Sequence, residues 1–176
     1  CPGAAATIST ADIDVNADLI RSAEVFITQL EQPMDAAIHA LEIAKKASVK
    51  TILNPAPASD LPDGMLALCD YVTPNETETE ALTGLEVKSV DDARQAAEIF
   101  LSKGVGAAVI TLGENGALFH SATHSELVLA VNAGPVVETT GAGDAFNGGF
   151  ATAIARGDDP IAAVHMGCTT AGISVT

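Results

Sequence analysis

The sequence has no tryptophan, one tyrosine and few basic residues: 8 Lys and Arg stand against 23 Asp and Glu, a formal net charge of −15. Such an acidic chain repels the phosphates of nucleic acids and anionic lipid headgroups, so we expect neither nucleic acid nor a membrane as a partner. No apolar run approaches the roughly 20 residues that a membrane-spanning helix needs. A small anion held by backbone N–H groups and a metal ion remains compatible with this charge.

Cysteine is also scarce in the sequence. Cys1, Cys69 and Cys168 form no CxxC motif, which predicts buried free thiols in a reducing, cytoplasmic compartment. No signal peptide opens the sequence. The 176 residues correspond to one domain, 1–176, with enough length for a packed core. Because the chain starts without Met and stops in an apolar stretch, we expect a fold truncated at both ends.

Short apolar runs alternate with helical patterns along the chain. Strands are predicted at 25–27, 51–53, 70–73, 107–110, 117–119 and 127–131. Helices are predicted at 34–44, 75–83 and 90–102, with two more after 141 that are divided by 157–160. This alternation is typical of β-α units and predicts an α/β fold with a mostly parallel sheet.

The stretch from Glu138 to Gly149 predicts a strand exit, a glycine-bearing turn and a helix start. Gly141, Ala142 and Gly143 can direct several N–H groups at one spot, where the helix dipole adds partial positive charge. Asp144 would be a carboxylate beside this anion hole, which suits phosphoryl transfer to an attacking hydroxyl group. The structural alternative is a glycine-shaped turn with Asp144 as a helix cap. GxGxxG, Walker and GxSxG motifs are absent.

A second candidate site begins the helix predicted after residue 74. Asn75 and Glu78 stand three residues apart, so both side chains lie near its N-terminus. They fit a capping box, and 75–77 also forms a glycosylation sequon. The functional alternative is a Mg²⁺-phosphate site, in which Glu78 holds a metal-bound water and Asn75 contacts phosphate.

A third candidate is the loop that follows the apolar strand 107–110. Open α/β sheets bind ligands at the carboxyl ends of their strands, so this loop could border a nucleotide. An ordinary hairpin turn is the alternative. The loop residues are Thr111, Leu112, Gly113, Glu114, Asn115 and Gly116. The histidines show no metal-ligand spacing, and we expect structural roles for them.

Together these segments resemble the ribokinase family of sugar and nucleoside kinases. The resemblance runs in order along nearly the whole chain and is most specific at 140–148. The other matching segments are 29–31 (Gln-Leu-Glu), 54–58 (Asn-Pro-Ala-Pro-Ala), 73–78 and 111–113. It implies a three-layer α/β/α fold and ATP-dependent phosphorylation of the ribose 5-hydroxyl, with Mg²⁺ and K⁺. The segments 29–31 and 54–58 favour ribose over the fructokinase and nucleoside kinase alternatives.

The resemblance also implies a role for each matching residue. Asp144 would be the catalytic base that contacts the sugar, with Gly141, Ala142 and Gly143 as the anion hole. Asn75 would contact phosphate, and Glu78 would bind Mg²⁺ through a water molecule. Thr111 to Gly116 would border the nucleotide, and Cys168 would lie near adenine. Glu31 would contact the sugar, and Glu138 and Thr140 would bind a monovalent cation. The family usually has Asp at the position of Glu138, which weakens the expectation of a potassium site.

The family's N-terminal glycine-rich sugar-binding signature and its β-sheet lid have no counterpart in this sequence. The lid mediates dimerisation in the family, so the resemblance implies a full-length homodimer. A kinase must exclude water from the phosphoryl group in transfer, so we expect weak or no turnover from this chain alone. A non-catalytic nucleotide-binding fragment is therefore the alternative function.

Overall fold

A computed structural model of the chain describes residues 3–176, so the prediction for Cys1 falls outside the described residues. A single sheet of six strands has the order β1-β2-β3-β4-β5-β6. The strands are β1 (Val25–Thr28), β2 (Lys50–Leu53), β3 (Tyr71–Val72), β4 (Ala107–Thr111), β5 (Ala117–Ser121) and β6 (Ser125–Val128). The first four strands pair in parallel, and the last two add antiparallel neighbours. The mostly parallel sheet is therefore confirmed.

Helices connect and flank these strands. The α-helices are α1 (Thr10–Val15), α2 (Ala17–Arg21), α3 (Met34–Lys46), α4 (Glu76–Thr83), α5 (Val90–Ser102), α6 (Ala142–Ala155) and α7 (Pro160–Ser174). Short 3₁₀ helices lie at Gly3–Thr7, Leu66–Leu68 and Gly113–Asn115. The five predicted helices correspond to α3–α7. Within residues 3–176, no helix combines the length and apolar character needed to cross a bilayer.

The helix starts follow the capping signals of the sequence. At α5, the hydroxyl of Ser89 accepts a hydrogen bond from the backbone N–H of Asp92 at 3.1 Å. At α7, Asp159 caps the helix and Pro160 occupies its first turn, where the missing N–H of proline costs nothing. These local hydrogen bonds fix the residue at which each helix begins.

The central strand β4 shows how the layers are built. Ala108 and Ile110 pack in one apolar cluster with residues of α3 and α5, including Leu41 and Phe100. Ala107 and Val109 point the other way, into a cluster with α6 and α7. Since side chains alternate between the two faces of a strand, β4 is covered on both faces. The molecule is thus a three-layer α/β/α fold, as expected.

The predicted last strand is wrong in its bounds. The apolar run 127–131 suggests a strand there, but β6 begins at Ser125 and ends at Val128. Val128 pairs with Ala117, the first residue of β5, so the ladder has no partner beyond this point. Pairing with β5, rather than the apolar run itself, therefore sets the end of β6.

The two described cysteines agree with the sequence analysis. Cys69 and Cys168 are free and buried. Burial raises the pKa of Cys69 to about 12 and that of Cys168 to about 11. A thiol that stays protonated is a poor nucleophile and a poor metal ligand, so both residues act as small apolar packing groups.

The turn between β4 and β5 provides a stability test with a matched control. Gly113 and Gly116 both have positive φ, at 53° and 100°. A Cβ at Gly113 meets nothing within 4 Å, whereas one at Gly116 would overlap the carbonyl oxygen of Val128. Gly113→Ala should cost about 1–2 kcal/mol of unfolding free energy for the backbone conformation alone. Gly116→Ala should cost at least about 2 kcal/mol more because of the overlap. Urea unfolding of both variants measures this, and equal losses would contradict the packing of the turn.

Candidate active site

The carboxyl ends of the four parallel strands bring the predicted segments to one edge of the sheet. Residues 29–31 follow β1, 54–58 follow β2, 73–75 follow β3, and 111–116 end and follow β4. These ends are the usual ligand-binding edge of an open parallel sheet. Helix α6 begins at the same edge, since Asp144 contacts Gln29 directly after β1. Segments far apart in the sequence therefore form one candidate site.

The start of α6 supplies unpaired backbone donors. Gly141 is the N-cap in a left-handed conformation with φ 82°, which suits a residue without Cβ. Within residues 3–176, the N–H groups of Gly141 and Gly143 have no backbone partner, whereas Ala142 donates to the carbonyl of Thr139 at 3.1 Å. The free N–H groups and the positive end of the 14-residue helix can stabilise an anion. Ala142 would have to exchange its present partner to do so.

Asp144 is exposed in the first turn of α6. Its Oδ1 accepts a hydrogen bond from Nε2 of Gln29 at 2.9 Å. In the part of the chain that the structure describes, no hydrogen bond joins this carboxylate to an N–H of its own helix. A purely local cap, the alternative considered from the sequence, is therefore not what the side chain does. Its second oxygen, Oδ2, accepts no hydrogen bond from residues 3–176.

The pair Asn75 and Glu78 forms the capping box at the start of α4. The Asn75 side chain accepts from the Glu78 N–H at 2.8 Å, and the Glu78 carboxylate accepts from the backbone and side-chain amides of Asn75 at 2.9 and 3.1 Å. Glu78 is only 9% exposed. Burial raises the pKa of Glu78, and this effect exceeds the opposite effect of the hydrogen bond from the Asn75 N–H. The capping prediction is thus confirmed, and the carboxylate oxygens keep lone pairs for further partners.

The third candidate segment lies next to this capping box. The N–H of Thr111 donates to the carbonyl of Pro74 at 2.9 Å, which joins the end of β4 to the residue before Asn75. Residues 113–115 form an exposed 3₁₀ turn that leads into β5. The hairpin alternative is therefore confirmed as geometry, and the turn also borders the ligand-binding edge.

The other predicted site residues have different surroundings. Glu31 is exposed in the loop after β1. Glu138 Oε1 accepts from the N–H and hydroxyl of Thr140 at 2.9 and 2.8 Å, and these bonds lower the pKa of Glu138. Cys168 is buried on α7 beneath β6. Two residues along α7, Thr170 donates to the carbonyl of Ala145 at 2.8 Å, so this part of α7 lies beside the start of α6.

Four polar residues without a predicted role complete the edge. Gln29, Asn54 and Thr73 follow β1, β2 and β3, and Asn147 lies one turn into α6. Asn54, Thr73 and Asn147 are buried, with exposures of 8%, 2% and 6%. The signal that could have found the first three is present in the sequence, because each is a polar residue directly after an apolar strand. Nothing local distinguishes Asn147 from its neighbours.

A row of three polar side chains lies at the opposite edge of the sheet. His120 contacts Oγ of Ser125 at 2.9 Å and a carboxylate oxygen of Glu98 at 3.0 Å. His120 pairs with Ala108, at the amino end of β4, so the row is remote from the candidate site. It joins α5 to the β5–β6 hairpin, which is a structural role for this histidine.

The buried carboxylate of Glu78 makes stability depend on pH. A raised folded pKa means that the group favours folding most when protonated, and that this contribution is lost as pH rises through the folded pKa. Glu78→Gln should therefore gain stability relative to the parent chain between about pH 4 and pH 7. Urea unfolding across this range measures the change, with the exposed Glu80→Gln as a control on the same helix. A gain that is equal in both variants would contradict the role of burial.

Comparison with curated proteins shows that the chain is similar to sugar kinases. The chain is 43% identical over 157 residues to the ribokinase of Haemophilus influenzae, covering 89% of this chain and 51% of that protein. It is 39% identical over 177 residues to the deoxyribokinase of Salmonella typhi, covering 99% of this chain and 57% of that protein. The chain thus spans about half the length of these relatives.

A solved structure and a family model lead to the same assignment. The structure of Arabidopsis thaliana ribokinase complexed with ribose and ATP superposes with a TM-score of 0.88 at 29% identity, over 92% of this chain and 53% of that chain. The model described as pfkB family carbohydrate kinase matches residues 1–176. With its parallel sheet, its glycine turn and the carboxylate that follows, this chain belongs to the pfkB family of carbohydrate kinases.

Proposed function

We propose that residues 1–176 form the nucleotide-binding and catalytic portion of a kinase that transfers the γ-phosphoryl group of ATP to the 5-hydroxyl of D-ribose. One observation carries the proposal: the exposed Asp144 carboxylate has an oxygen without a hydrogen bond in the described residues, in the same helical turn as unpaired N–H groups. A base for the hydroxyl and donors for the phosphoryl oxygens are the two groups that this reaction needs. The similarity to ribokinases, one of which is solved in complex with ribose and ATP, supports ATP and ribose as substrates.

In this proposal Asp144 accepts the proton of the sugar hydroxyl as that oxygen attacks the γ-phosphorus. The N–H groups of Gly141 and Gly143, joined by Ala142 once it leaves Thr139, donate to the phosphoryl oxygens as negative charge develops on them. Asp144 and the donors lie on the same helix turn. The base and the anion hole therefore keep a fixed separation during the reaction, which lowers the cost of reorganisation.

The acidic edge also fits a hard cation that accompanies the nucleotide. Glu78 and Asn75 offer carboxylate and amide oxygens, the donor type that Mg²⁺ prefers. Both Glu78 oxygens already accept hydrogen bonds, so contact through a metal-bound water suits them better than direct ligation. When bound, Mg²⁺ would neutralise charge on the ATP phosphates. Glu138 and Thr140 offer further oxygens, and we assign K⁺ to them.

The remaining residues are assigned to the two substrates. The exposed turn of Gly113, Glu114 and Asn115, held between Leu112 and Gly116, borders the nucleotide with Thr111 at its base. Cys168 lies under this side of the fold, where its bulk would shape the adenine site rather than bond to it. Glu31, exposed after β1, contacts the sugar. Our proposal for the full-length protein is a homodimer formed through a lid outside these residues.

Two alternatives are supported by particular findings. The deoxyribokinase of Salmonella typhi is nearly as similar to this chain as the ribokinases, so 2-deoxyribose is a competing acceptor. The chain spans about half the length of its relatives, which favours a nucleotide-binding fragment without turnover as the competing function. Fructose and nucleosides remain less favoured acceptors.

Replacing the proposed base tests the chemistry. Asp144→Asn keeps the size and the Oδ1 acceptor but cannot take a proton, so kcat should fall by a factor on the order of 10³ or more. The affinity for ATP should be nearly unchanged, because Asp144 does not contact the nucleotide in this proposal. A coupled assay of ADP release and ATP titration calorimetry measure the two quantities. The exposed Asp158→Asn, remote in the chain, is the control. An unchanged kcat would remove Asp144 from the role of base.

The acceptor and the need for flanking sequence are tested together. ADP release is measured with ribose, 2-deoxyribose, fructose and adenosine, using residues 1–176 and a version with its natural flanks. We expect ribose-dependent turnover in the longer version and little in the shorter one, because water must be excluded from the transferring group. ATP binding without turnover in both versions would favour the binding fragment. Faster turnover with 2-deoxyribose would reassign the acceptor.

A further inference from the structure

We propose that Gln29 is a positioning residue that holds one oxygen of Asp144, so that the other oxygen, Oδ2, receives the proton of the sugar hydroxyl. This inference rests on the proposed function, because it assumes that Asp144 is the base. It assigns a role to Gln29 and to the buried amide behind it, Asn54. The observation that carries it is a chain of hydrogen bonds that has only one chemically allowed direction.

The direction of these hydrogen bonds is set at their buried end, where Asn54 contacts the backbone of Thr73. The carbonyl of Thr73 can only accept, so the group of Asn54 that contacts it at 2.9 Å is Nδ2. The opposite atom of the Asn54 amide, Oδ1, must then face Gln29, and Nε2 of Gln29 donates to it at 3.1 Å. The Gln29 amide cannot be flipped, because its own oxygen would then face Asn54 Oδ1 and two acceptors repel each other.

The second proton on Nε2 of Gln29 reaches Asp144. It is donated to Oδ1 at 2.9 Å, across 115 positions of sequence. Both donors of the Gln29 amide are therefore used, one on Asn54 and one on Asp144. A neutral donor on Oδ1 fixes the plane of the carboxylate and leaves Oδ2 as the oxygen with a free lone pair directed to the ligand side.

A second series of hydrogen bonds connects the proposed anion hole to the same residue, Thr73. The Thr73 hydroxyl donates to Oδ1 of Asn147 at 2.7 Å, and Nδ2 of Asn147 donates to the carbonyl of Gly143 at 3.0 Å. Asn54, Thr73 and Asn147 are buried, where an unmade hydrogen bond is costly. Asp144 and the Gly143 peptide are thus both anchored, through different atoms, to Thr73 at the end of β3.

The test uses two replacements of Gln29 in the protein with its natural flanks. Gln29→Met keeps the length and removes the donor, and kcat should fall by about 10- to 100-fold while KM for ATP stays within about threefold. Gln29→Glu keeps the shape and places a second carboxylate against Asp144. Since two adjacent carboxylates share a proton, the acidic limb of the kcat–pH profile should move to higher pH.

Gln32→Met is the matched control in the same loop. The Gln32 amide donates to the Thr28 hydroxyl and the Gln29 carbonyl, both at 2.6 Å, and not to Asp144. Gln32→Met should leave the pH profile of kcat unchanged. A merely structural role for Gln29 would lower the thermal midpoint in Gln29→Met and Gln32→Met alike, without moving the profile in Gln29→Glu.

The outcomes separate this inference from the proposed function. If Asp144→Asn loses kcat while both Gln29 variants keep the parent kcat and pH profile, the positioning role is wrong and the function stands. If Asp144→Asn keeps kcat, both are wrong. Loss of kcat in Gln29→Met together with the shifted profile of Gln29→Glu supports the role. Should Gln29→Met fail to fold, the profile of Gln29→Glu decides.

Discussion

The candidate site depends on the hydrogen bonds that join the start of α6 to the ends of the parallel strands. Asn54, Thr73 and Asn147 are buried polar side chains, and burial is tolerable only when each finds its partners. Their partners are one another, the side chain of Gln29 and backbone carbonyls of the same edge. Satisfying them fixes α6 against β1–β3, and with it the position of Asp144. The polar groups that stabilise this part of the fold therefore also set the geometry of the site.

The acidity of the chain explains the chemistry of this edge. Six of the eight basic side chains are in ion pairs with carboxylates of the chain, namely Arg21, Lys45, Lys46, Lys88, Arg94 and Arg156. None of the eight belongs to the segments that form the site. In the function we propose, phosphate is held by N–H groups, a helix dipole and a metal ion, none of which depends on a long flexible side chain. The lack of basic residues in these segments and the unpaired N–H groups at the start of α6 both support this proposal.

The capping box of α4 is observed in the structure, and the role in metal binding that we propose for Glu78 is compatible with it. Glu78 stabilises the helix start through Asn75, and the same hydrogen bonds keep its carboxylate at the ligand-binding edge. Burial raises its pKa, so the charged form is held at a cost in stability. The local pattern Asn-x-x-Glu is the same for a capping box and for the metal site that we propose, so the sequence alone could not distinguish these roles.

Local patterns in the sequence determined the helices α3–α7, five of the six strands and the capping box. Apolar periodicity and caps act within a few residues, so these elements could be predicted without knowing their neighbours. Neither α1 nor α2 was predicted, although Ser9 and Asp12 form the capping box of α1. The end of β6 was decided by its partner strand. Only the tertiary structure decided that Gln29 contacts Asp144, because the two meet through the stacking of parallel strands and the return of α6 to their carboxyl ends, and no local rule links residues 115 positions apart.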